Sequence, residues 1–450
     1  MGKLFGTDGV RGKANVELTP ELAFNLGRAG AYVLTKERAH APRILLGMDT
    51  RISGDMLGAA LTAGMCSVGA RVISAGIIPT PAIAYLVRKY GLDAGVMISA
   101  SHNPYADNGI KFFDGNGYKL KDELENEIEG YILNGMADIP RVTDGQIGLC
   151  EDADTAISDY VAFLQGTVGN MPLAGMKIAL DCANGATFEA APLLFRSLGA
   201  DVRVIHNTPD GLNINDHCGS THVESLLAFV KETGADIGFA FDGDGDRLIT
   251  VDEHGDIVDG DQFMSIVGNH LKQEGKLKNN VIVATVMSNL GFFQMGEKYG
   301  ITIESTKVGD RYVLERMLKK GHILGGEQSG HIIFLEHNTT GDGILSALQL
   351  SAIVKQTGKP LSTLNQYMEV LPQVLINAKV SNDKKHDYLE NEEVEAAIKA
   401  LEKKFEGRGR VLIRPSGTEP TVRVMIEGRD IVEITKEAKA LAALLEQQLV

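Results

Sequence analysis

The chain has 450 residues, of which 44% are hydrophobic, 23% charged and 6% aromatic. These proportions are typical of a folded globular protein and exclude disorder or a fibrous repeat. Glycine is frequent, with 51 residues against 13 prolines, and many bare-backbone loops favour an α/β enzyme that binds a small ligand. At about 150 residues per domain, the length predicts about three domains, with two or four also compatible.

The charge balance argues against two classes of partner. The chain has 44 basic and 59 acidic side chains, a formal net charge of −15, so we expect neither nucleic acid nor an anionic membrane as its main partner. Its four cysteines are scattered, which predicts free thiols in a reducing compartment. The most apolar window, residues 63–87, is broken by Arg71, Pro79 and Pro81. We therefore expect no membrane span, no cleaved leader and a cytoplasmic protein.

Three stretches share one pattern and predict an internal duplication. Each is a β-branched run, a polar turn, an amphipathic helix that ends at glycine, and a second β run. We expect the glycine to supply a left-handed cap at the end of each helix. The paired β runs are residues 43–49 with 68–74, 177–181 with 198–204, and 280–285 with 299–305.

Each unit is followed by a further apolar strand that ends in a dense polar loop. The strands are residues 95–99, 237–241 and 323–325. Ligands of α/β sheets bind beyond the carboxyl ends of strands, so we expect the three loops to meet in one cleft.

The last part of the chain differs, because a helix near residues 392–405 leads to two β runs (410–413 and 421–426) and a final helix. This order predicts an α+β domain that packs as a lid. The predicted fold is thus α/β, with three tandem related α/β domains with mixed sheets plus the C-terminal α+β lid domain, around a central cleft. The predicted boundaries are 1–155, 156–255, 256–370 and 371–450.

The loop at residues 242–247 (DGDGDR) alternates three aspartates with glycines directly after an apolar strand. Alternation would put Asp242, Asp244 and Asp246 on one side of an extended segment, and the glycines let their oxygens converge. Three clustered carboxylates are costly unless a hard cation neutralises them. The loop predicts an Mg²⁺ site that keeps positions for a phosphoryl oxygen, although a solvated acidic turn is the plainer interpretation.

An EF-hand is the rival metal loop for this segment. Asp242, Asp244 and Asp246 would fill positions 1, 3 and 5, and Glu253 would fill position 12. Position 6, which needs glycine, is Arg247, and the flanks read as strands rather than helices. We therefore reject the EF-hand.

The loop after the first of these strands carries a candidate nucleophile. Ser101 stands beside His102, and Pro104 holds Asn103 extended. A Ser-His pair in a loop is commonly only a turn. Beside a predicted Mg²⁺ site, however, a phosphorylated Ser101 would supply the missing anionic ligand, and Lys111 would balance its charge.

Two further loops have the side chains of a sugar phosphate site. Residues 325–331 offer Glu327, the amide of Gln328, Ser329 and His331, a set that can bind vicinal hydroxyls, although a helix start capped by Ser329 is the alternative. Residues 414–423 combine two arginines with the hydroxyls of Ser416 and Thr418 and with backbone N–H groups that glycine leaves accessible, the parts of a phosphate pocket. An exposed hairpin turn is the alternative. The four loops together imply a sugar phosphate as ligand.

The motifs resemble the α-D-phosphohexomutase superfamily over nearly the whole chain. The segments that carry the resemblance, in the same order as in that superfamily, are residues 5–12 (FGTDGVRG), 98–104 (ISASHNP), 242–247 (DGDGDR), 326–331 (GEQSGH) and 414–418 (RPSGT).

The resemblance implies roles for individual residues. It implies a phosphoserine at Ser101, with His102 beside it, and one Mg²⁺ per chain held by the three aspartates and that phosphate. Arg11 and Lys111 would be positioned for phosphoryl transfer and acid/base catalysis. Arg247 would lie near the sugar. Glu327 and Ser329 would bind the sugar hydroxyls, with His331 nearby. The residues expected to hold the non-reacting phosphate are Arg414, Ser416, Gly417, Thr418 and Arg423.

The resemblance also implies a reaction. Ser101 would pass its phosphoryl group to a hexose monophosphate through a 1,6-bisphosphate, with glucosamine or glucose 1,6-bisphosphate as activator. Gln328 and the opening FGTDG look like the branch that converts glucosamine 6-phosphate to glucosamine 1-phosphate for UDP-N-acetylglucosamine and cell-wall synthesis. The mannose and glucose branch, which often carries Met in this loop, is the alternative substrate class. A phosphatase and a non-catalytic cation-binding module are the alternative functions. The sequence leaves open a homodimer, and a kinase or autophosphorylation that primes Ser101.

Overall fold

The computed structural model describes residues 4–6, 8–36, 40–416 and 420–449. The chain divides into two compact units, which we describe separately. The large unit consists of Met1–Val286 and Ile303–Gln366, and the C-terminal unit of Met287–Thr302 and Tyr367–Val450.

The large unit begins with a six-stranded mixed sheet. Its elements, in chain order, are β1 (Val10–Lys13), α1 (Pro20–Thr35), β2 (Arg43–Met48), α2 (Ser53–Cys66), β3 (Arg71–Ile77), α3 (Thr80–Tyr90), β4 (Ala94–Ile98), β5 (Asp107–Asp114), α4 (Asp122–Leu133) and β6 (Cys150–Asp152). Across the sheet, neighbouring strands follow the order β1-β5-β4-β2-β3-β6. β5 runs antiparallel to both its neighbours, and the remaining pairs are parallel.

Two glycines let α1 and α2 pack unusually closely. A Cβ at Gly27 would lie 2.4 Å from the carbonyl oxygen of Leu61, and one at Gly64 would lie 2.1 Å from that of Phe24. α1 itself begins at Pro20, after Thr19 caps it by accepting a hydrogen bond from the Leu22 N–H at 3.2 Å, a favourable sequence for a helix start. The helix pair then covers the core of this sheet.

The second sheet has five strands. Its region contains α5 (Ala156–Thr167), β7 (Lys177–Asp181), α6 (Ala190–Ser197), β8 (Asp201–Ile205), α7 (Glu224–Thr233), β9 (Ile237–Phe241), β10 (Leu248–Asp252) and β11 (Ile257–Val258). The order is β11-β10-β9-β7-β8, with β7 parallel to β8 and β9, and β10 antiparallel to its neighbours. The sheet thus extends just beyond the boundary proposed at residue 255.

The third sheet has four short strands. The elements of this stretch of the chain, in order, are α8 (Gly260–Gln273), β12 (Val281–Thr285), α9 (Leu290–Tyr299), β13 (Thr302–Thr306), α10 (Asp310–Lys320), β14 (Leu324–Gly326), β15 (Ile332–Phe334), α11 (Gly343–Thr357) and α12 (Leu361–Leu364), of which α9 belongs to the C-terminal unit. The order is β13-β12-β14-β15, in which β12 and β14 are parallel and β15 is antiparallel to β14.

The C-terminal unit is an antiparallel three-stranded sheet with helices. Its remaining elements are β16 (Gln373–Lys379), α13 (Glu392–Phe405), β17 (Gly409–Pro415), β18 (Thr421–Gly428) and α14 (Ile431–Gln448). β18 lies between β16 and β17. α9 belongs to this unit through hydrogen bonds such as that from the Asn289 side chain to the Leu371 carbonyl oxygen, 2.9 Å long.

The predicted fold class is confirmed. Mixed sheets with helices form the α/β part, and an antiparallel sheet with helices forms the α+β part at the end of the chain. The predicted glycine caps are only partly right. Gly69, Gly199 and Gly300 all have positive φ, but only Gly300 directly caps its helix. α6 ends at a cap residue, Leu198, before its glycine, and α2 is followed by a further turn. Within the described residues, no helix combines the length and apolarity needed to cross a membrane.

Candidate active site

Ser101 lies in the turn directly after β4. Its φ of 54° is in the left-handed region, and the residue is only 2% exposed. Its Oγ donates a hydrogen bond to Oδ2 of Asp242 at 2.6 Å and lies 3.3 Å from Nδ1 of His102. The hydroxyl is therefore held beside an acidic side chain and an imidazole, an arrangement that suits a nucleophile.

The Ser101 turn is held by a buried guanidinium. Arg51 donates hydrogen bonds to the carbonyl oxygens of Ser101 and Asn103, both at 2.9 Å, and to that of Pro104. Asp49 pairs with Arg51 Nε at 2.9 Å. The left-handed conformation of Ser101 costs free energy because the residue is not glycine, and the hydrogen bonds from Arg51 stabilise it.

The three aspartates converge in the loop after β9. One carboxylate oxygen of each lies within 4.8 Å of one oxygen of the other two, and all three residues are buried. The expected extended segment is wrong, because the loop is a turn, with Gly245 at φ 72°. A Cβ at Gly245 would lie 2.5 Å from Cγ2 of Thr187, so a side chain there would clash as well as strain the backbone.

The electrostatics of this cluster fit a bound cation. Oδ1 of Asp244 and Oδ1 of Asp246 are buried without a hydrogen-bond partner, and such oxygens are costly unless something binds them. Burial, together with the neighbouring Asp246 and Asp244, raises the pKa of Asp242 well above its usual range. A set of carboxylate oxygens alone suits a hard ion such as Mg²⁺.

A chain of ion pairs continues from the aspartates. Lys111 Nζ is 2.8 Å from Oδ2 of Asp244 and 3.1 Å from Oδ2 of Asp8. Lys119 Nζ bridges Asp8 at 2.6 Å and Asp310 at 2.7 Å. Burial would lower the pKa of Lys111, but Asp244 and Asp8 raise it well above the usual range, so its ammonium is a fixed positive charge at the site.

The other predicted catalytic residues surround the same cluster. Arg11 pairs with Asp8, and the Arg247 backbone N–H donates to Oδ1 of Asp242 at 3.1 Å. His331 Nδ1 is 3.6 Å from Oδ2 of Asp246. Burial alone would lower the pKa of His331, but Asp246 raises it.

The alternative interpretation, a helix start capped by Ser329, is excluded, because residues 327–331 form the loop between β14 and β15. Glu327 Oε1 accepts a hydrogen bond from the Gly309 N–H at 3.1 Å, and Ser329 is exposed. Gln328 donates its side-chain amide to Oδ2 of Asp259, 3.1 Å away. Asp259 caps α8, so this contact has a structural role that the sequence did not reveal.

The C-terminal unit brings together three of the five predicted phosphate-binding residues. Arg414 and Arg423 are directly opposite each other on β17 and β18, and the Ser416 N–H bonds the Thr421 carbonyl oxygen at 2.8 Å. Like charges directly opposite are unfavourable, and burial together with Arg423 lowers the pKa of Arg414. An anion would relieve this repulsion. Gly417 and Thr418 lie outside the described residues.

Sequence reasoning missed several residues that orient the site. Thr80, at the start of α3, donates its hydroxyl to Oδ2 of Asp244 at 2.6 Å. Asn215 donates its side-chain amide to the carbonyl oxygens of Ser101 at 2.9 Å and Asn103 at 3.1 Å. Only Asp8, within the opening motif, carried a signal; the others are polar residues in ordinary contexts whose contacts depend on tertiary folding.

Comparison with known proteins gives a consistent match along the chain. The phosphoglucomutase/phosphomannomutase alpha/beta/alpha domain I matches residues 2–138, domain II residues 158–255, domain III residues 259–371, and the C-terminal domain residues 375–444.

Similar proteins include two bacterial enzymes named phosphoglucosamine mutase. That of Ruminiclostridium cellulolyticum is 62% identical and that of Acetivibrio thermocellus 61% identical, each over 100% of both chains. A solved phosphoglucomutase/phosphomannomutase family protein from Burkholderia thailandensis has a TM-score of 0.82 at 24% identity, covering 99% of this chain and 97% of its own. Aspergillus fumigatus N-acetylphosphoglucosamine mutase, solved with GlcNAc-6P and magnesium, has a TM-score of 0.70 at 16% identity, covering 100% and 96%.

Proposed function

The chain belongs to the phosphoglucomutase/phosphomannomutase family, and we propose that it interconverts glucosamine 6-phosphate and glucosamine 1-phosphate. It is an intramolecular phosphotransferase, an isomerase. Relatives 57–62% identical over essentially their full length are named for this reaction. The observation that carries the proposal is the buried, left-handed Ser101, whose Oγ donates to Asp242 of the aspartate cluster at 2.6 Å.

Asp242, Asp244 and Asp246, with a phosphoryl oxygen on Ser101, would hold one Mg²⁺ per chain. The ion would supply positive charge to the oxygens of the transferring phosphoryl group. The two buried oxygens without partners, on Asp244 and Asp246, support this assignment.

The chain's own residues supply the remaining chemistry. The bond from the Ser101 oxygen to phosphorus breaks while a bond from phosphorus to a sugar hydroxyl oxygen forms. Burial, with Arg247 and Arg11 nearby, lowers the pKa of His102 to about 4, so its neutral imidazole is available to accept the hydroxyl proton. The fixed charge of Lys111 stabilises the anionic oxygens.

The second half of the reaction reverses the first. The 1,6-bisphosphate turns over, and the phosphate that was already on the sugar returns to the Ser101 oxygen, so no phosphate is lost. We assign Glu327 and Ser329 to the sugar hydroxyls and Arg11, Arg247 and His331 to charge stabilisation around the reacting groups. The binding of the non-reacting phosphate is assigned to Arg414, Ser416, Gly417, Thr418 and Arg423.

Glucosamine or glucose 1,6-bisphosphate is proposed as the activator that primes Ser101. The product would feed UDP-N-acetylglucosamine and cell-wall precursor synthesis. The homodimer, the cytoplasmic location and the kinase or autophosphorylation at Ser101 stay predictions, as do the three boundaries between the four domains. Mannose and glucose phosphates are the alternative substrates.

The test is a side-by-side assay of the purified protein, primed with glucose 1,6-bisphosphate and supplied with Mg²⁺. We expect a higher kcat/KM for glucosamine 6-phosphate than for mannose 6-phosphate or glucose 6-phosphate, with no release of inorganic phosphate. An equal or higher kcat/KM for mannose 6-phosphate would overturn the substrate assignment, and stoichiometric phosphate release would indicate a phosphatase.

A further inference from the structure

A second cluster of potential metal ligands lies in the five-stranded sheet, outside the catalytic aspartates. Asp181 ends β7, His206 directly follows β8, and Cys218 stands before the turn at Gly219–Thr221. Because β7 and β8 are parallel neighbours with Asp181 opposite Ile205, the first two side chains meet at one sheet edge. One ligand atom from each residue lies within 4.8 Å of the others.

We propose that Asp181, His206 and Cys218 form a second metal site, which takes a borderline-soft divalent cation such as Zn²⁺. The donor set differs in kind from the catalytic cluster. A thiolate and an imidazole select Zn²⁺ over Mg²⁺, whereas the three aspartates offer oxygen alone. Binding would release the Cys218 thiol proton to solvent.

The spacing of the donor atoms fits tetrahedral coordination. His206 Nδ1 lies 3.1 Å from Oδ2 of Asp181. Two such ligands at the usual Zn–N and Zn–O lengths are about 3.3 Å apart, and a sulfur ligand is about 3.6 Å from either. Since one ligand atom of each residue, the Cys218 sulfur included, lies within 4.8 Å of the others, a movement of about 1 Å closes the site.

The imidazole already adjoins the carboxylate. His206 Nδ1 is buried and lies 3.1 Å from Oδ2 of Asp181, so two of the three donor atoms are side by side. Asp181 and Cys218 are fully buried, while the His206 side chain is 29% exposed, so a cation has an entry path on the imidazole side. The competing interpretation is an ion pair between His206 and Asp181 with an inert thiol.

The site would anchor loops that contact the Ser101 turn. Asp181 already accepts hydrogen bonds from the Ala183 N–H at 2.9 Å and the Gly219 N–H at 3.0 Å. The Ala183 carbonyl oxygen accepts from the Asn215 N–H at 2.9 Å, and the Asn215 side chain donates to the Ser101 carbonyl oxygen. A bound ion would therefore stabilise the loops that position Asn215 without touching substrate.

The experiment is a Co²⁺ titration of the metal-stripped full-length protein in excess Mg²⁺, followed by absorbance. A thiolate ligand gives a charge-transfer band in the near ultraviolet, which carboxylate ligands cannot give. We expect a band that saturates at one Co²⁺ per chain, is lost in Cys218→Ser and persists in Cys182→Ser, a matched buried thiol outside the cluster. It should also persist in Asp242→Asn, which separates this site from the catalytic one.

A second readout covers the case in which Cys218→Ser does not fold. With Mg²⁺ in excess, Zn²⁺ should raise the Tm of the wild-type protein but not that of His206→Gln. The proposal is overturned if the wild type gives no charge-transfer band, if the band survives in folded Cys218→Ser, or if Zn²⁺ raises the Tm of His206→Gln as much as that of the wild type. None of these results depends on the sugar substrate.

Discussion

The Ser101 hydroxyl donates a 2.6 Å hydrogen bond to Oδ2 of Asp242, a residue that lies 141 positions later in the chain. The contact joins the turn after β4 of the first sheet to the turn after β9 of the second. Both strands are fully buried, so two rigid elements fix the relative position of hydroxyl and carboxylate. The proposed role of Ser101 as phosphoryl carrier requires this kind of preorganisation.

Arg51 should be essential for the conformation of the Ser101 turn. Its planar guanidinium binds three carbonyl oxygens and Asp49 at once, which a lysine ammonium cannot reproduce. We expect Arg51→Lys to lower kcat by at least ~10-fold and the free energy of unfolding by ~2–3 kcal/mol. Chemical unfolding followed by circular dichroism would measure the second effect.

Arg71→Lys is the matched control, because Arg71 makes only a half-exposed pair with Glu151. Its stability should change by less than ~0.5 kcal/mol. If Arg51→Lys behaved like Arg71→Lys in both assays, the guanidinium would not be holding the turn.

Thr80 should tune the affinity of the metal site. Its hydroxyl and Lys111 both bind Oδ2 of Asp244, which leaves Oδ1 available to the proposed ion. Removal of such an orienting group typically costs ~10–100-fold in metal affinity. We expect Thr80→Val to raise the Kd for Mg²⁺ at least ~10-fold by calorimetric titration, while Thr80→Ser keeps a near wild-type value. Equal Kd values for Val and Ser would show that the hydroxyl has no such role.

Asp342 should make stability depend on pH in a predictable direction. It caps α11 and accepts a 2.7 Å hydrogen bond from the Tyr160 hydroxyl, yet burial raises its pKa to about 6. Because the folded state binds this proton more tightly than the unfolded state, the contribution of Asp342 to stability grows as pH falls from 7 towards 4. The unfolding free energy of the wild type minus that of Asp342→Asn should therefore rise by about 1.3 kcal/mol between pH 7 and pH 5.

Asp430→Asn provides the comparison for that series, since Asp430 is the exposed N-cap of α14. The difference in unfolding free energy between the wild type and Asp430→Asn should change little over the same pH range. For Asp342→Asn, the buried-carboxyl account would be contradicted if this difference did not change with pH, or if it decreased as the pH is lowered.

Gln328 should affect stability rather than substrate choice. The sequence suggested a link to the glucosamine branch, but the amide donates to Asp259, the cap of α8. We expect Gln328→Met to lower the free energy of unfolding by ~1 kcal/mol. The ratio of kcat/KM for glucosamine 6-phosphate to that for mannose 6-phosphate should change less than ~3-fold. A ~10-fold shift towards mannose 6-phosphate would restore Gln328 as a specificity residue.

Local patterns were sufficient to predict much of the fold. The strands β4, β7, β9 and β12 are short apolar or β-branched runs followed by polar turns, and each was predicted within about one residue. β16 escaped notice because its residues QVLINAK mix polar and apolar side chains, and only one of them is buried. Its pairing with β18 provides the support that its own sequence lacks.

The candidate site was predictable where several functional residues stand in one loop. The aspartate cluster and Ser101 were found because their motifs are dense and follow strands. The network through Lys119 and Asp310 was missed, since its charged residues are 191 positions apart and pair only after the chain has folded. The role of Arg51 could not be predicted for the same reason, because no local sequence pattern marks a buried arginine whose partners are distant carbonyl oxygens.

The most direct test of the account is the kcat of Ser101→Ala, measured on folded protein with Mg²⁺, glucosamine 6-phosphate and glucose 1,6-bisphosphate present. Phosphate-monoester transfer has a very high uncatalysed barrier, and a variant without the Ser101 hydroxyl has no oxygen there to carry the phosphoryl group between the two ends of the sugar. We expect kcat to fall at least ~10³-fold with an unchanged circular dichroism spectrum. A variant that keeps more than about a tenth of wild-type turnover would show that Ser101 is not the phosphoryl carrier.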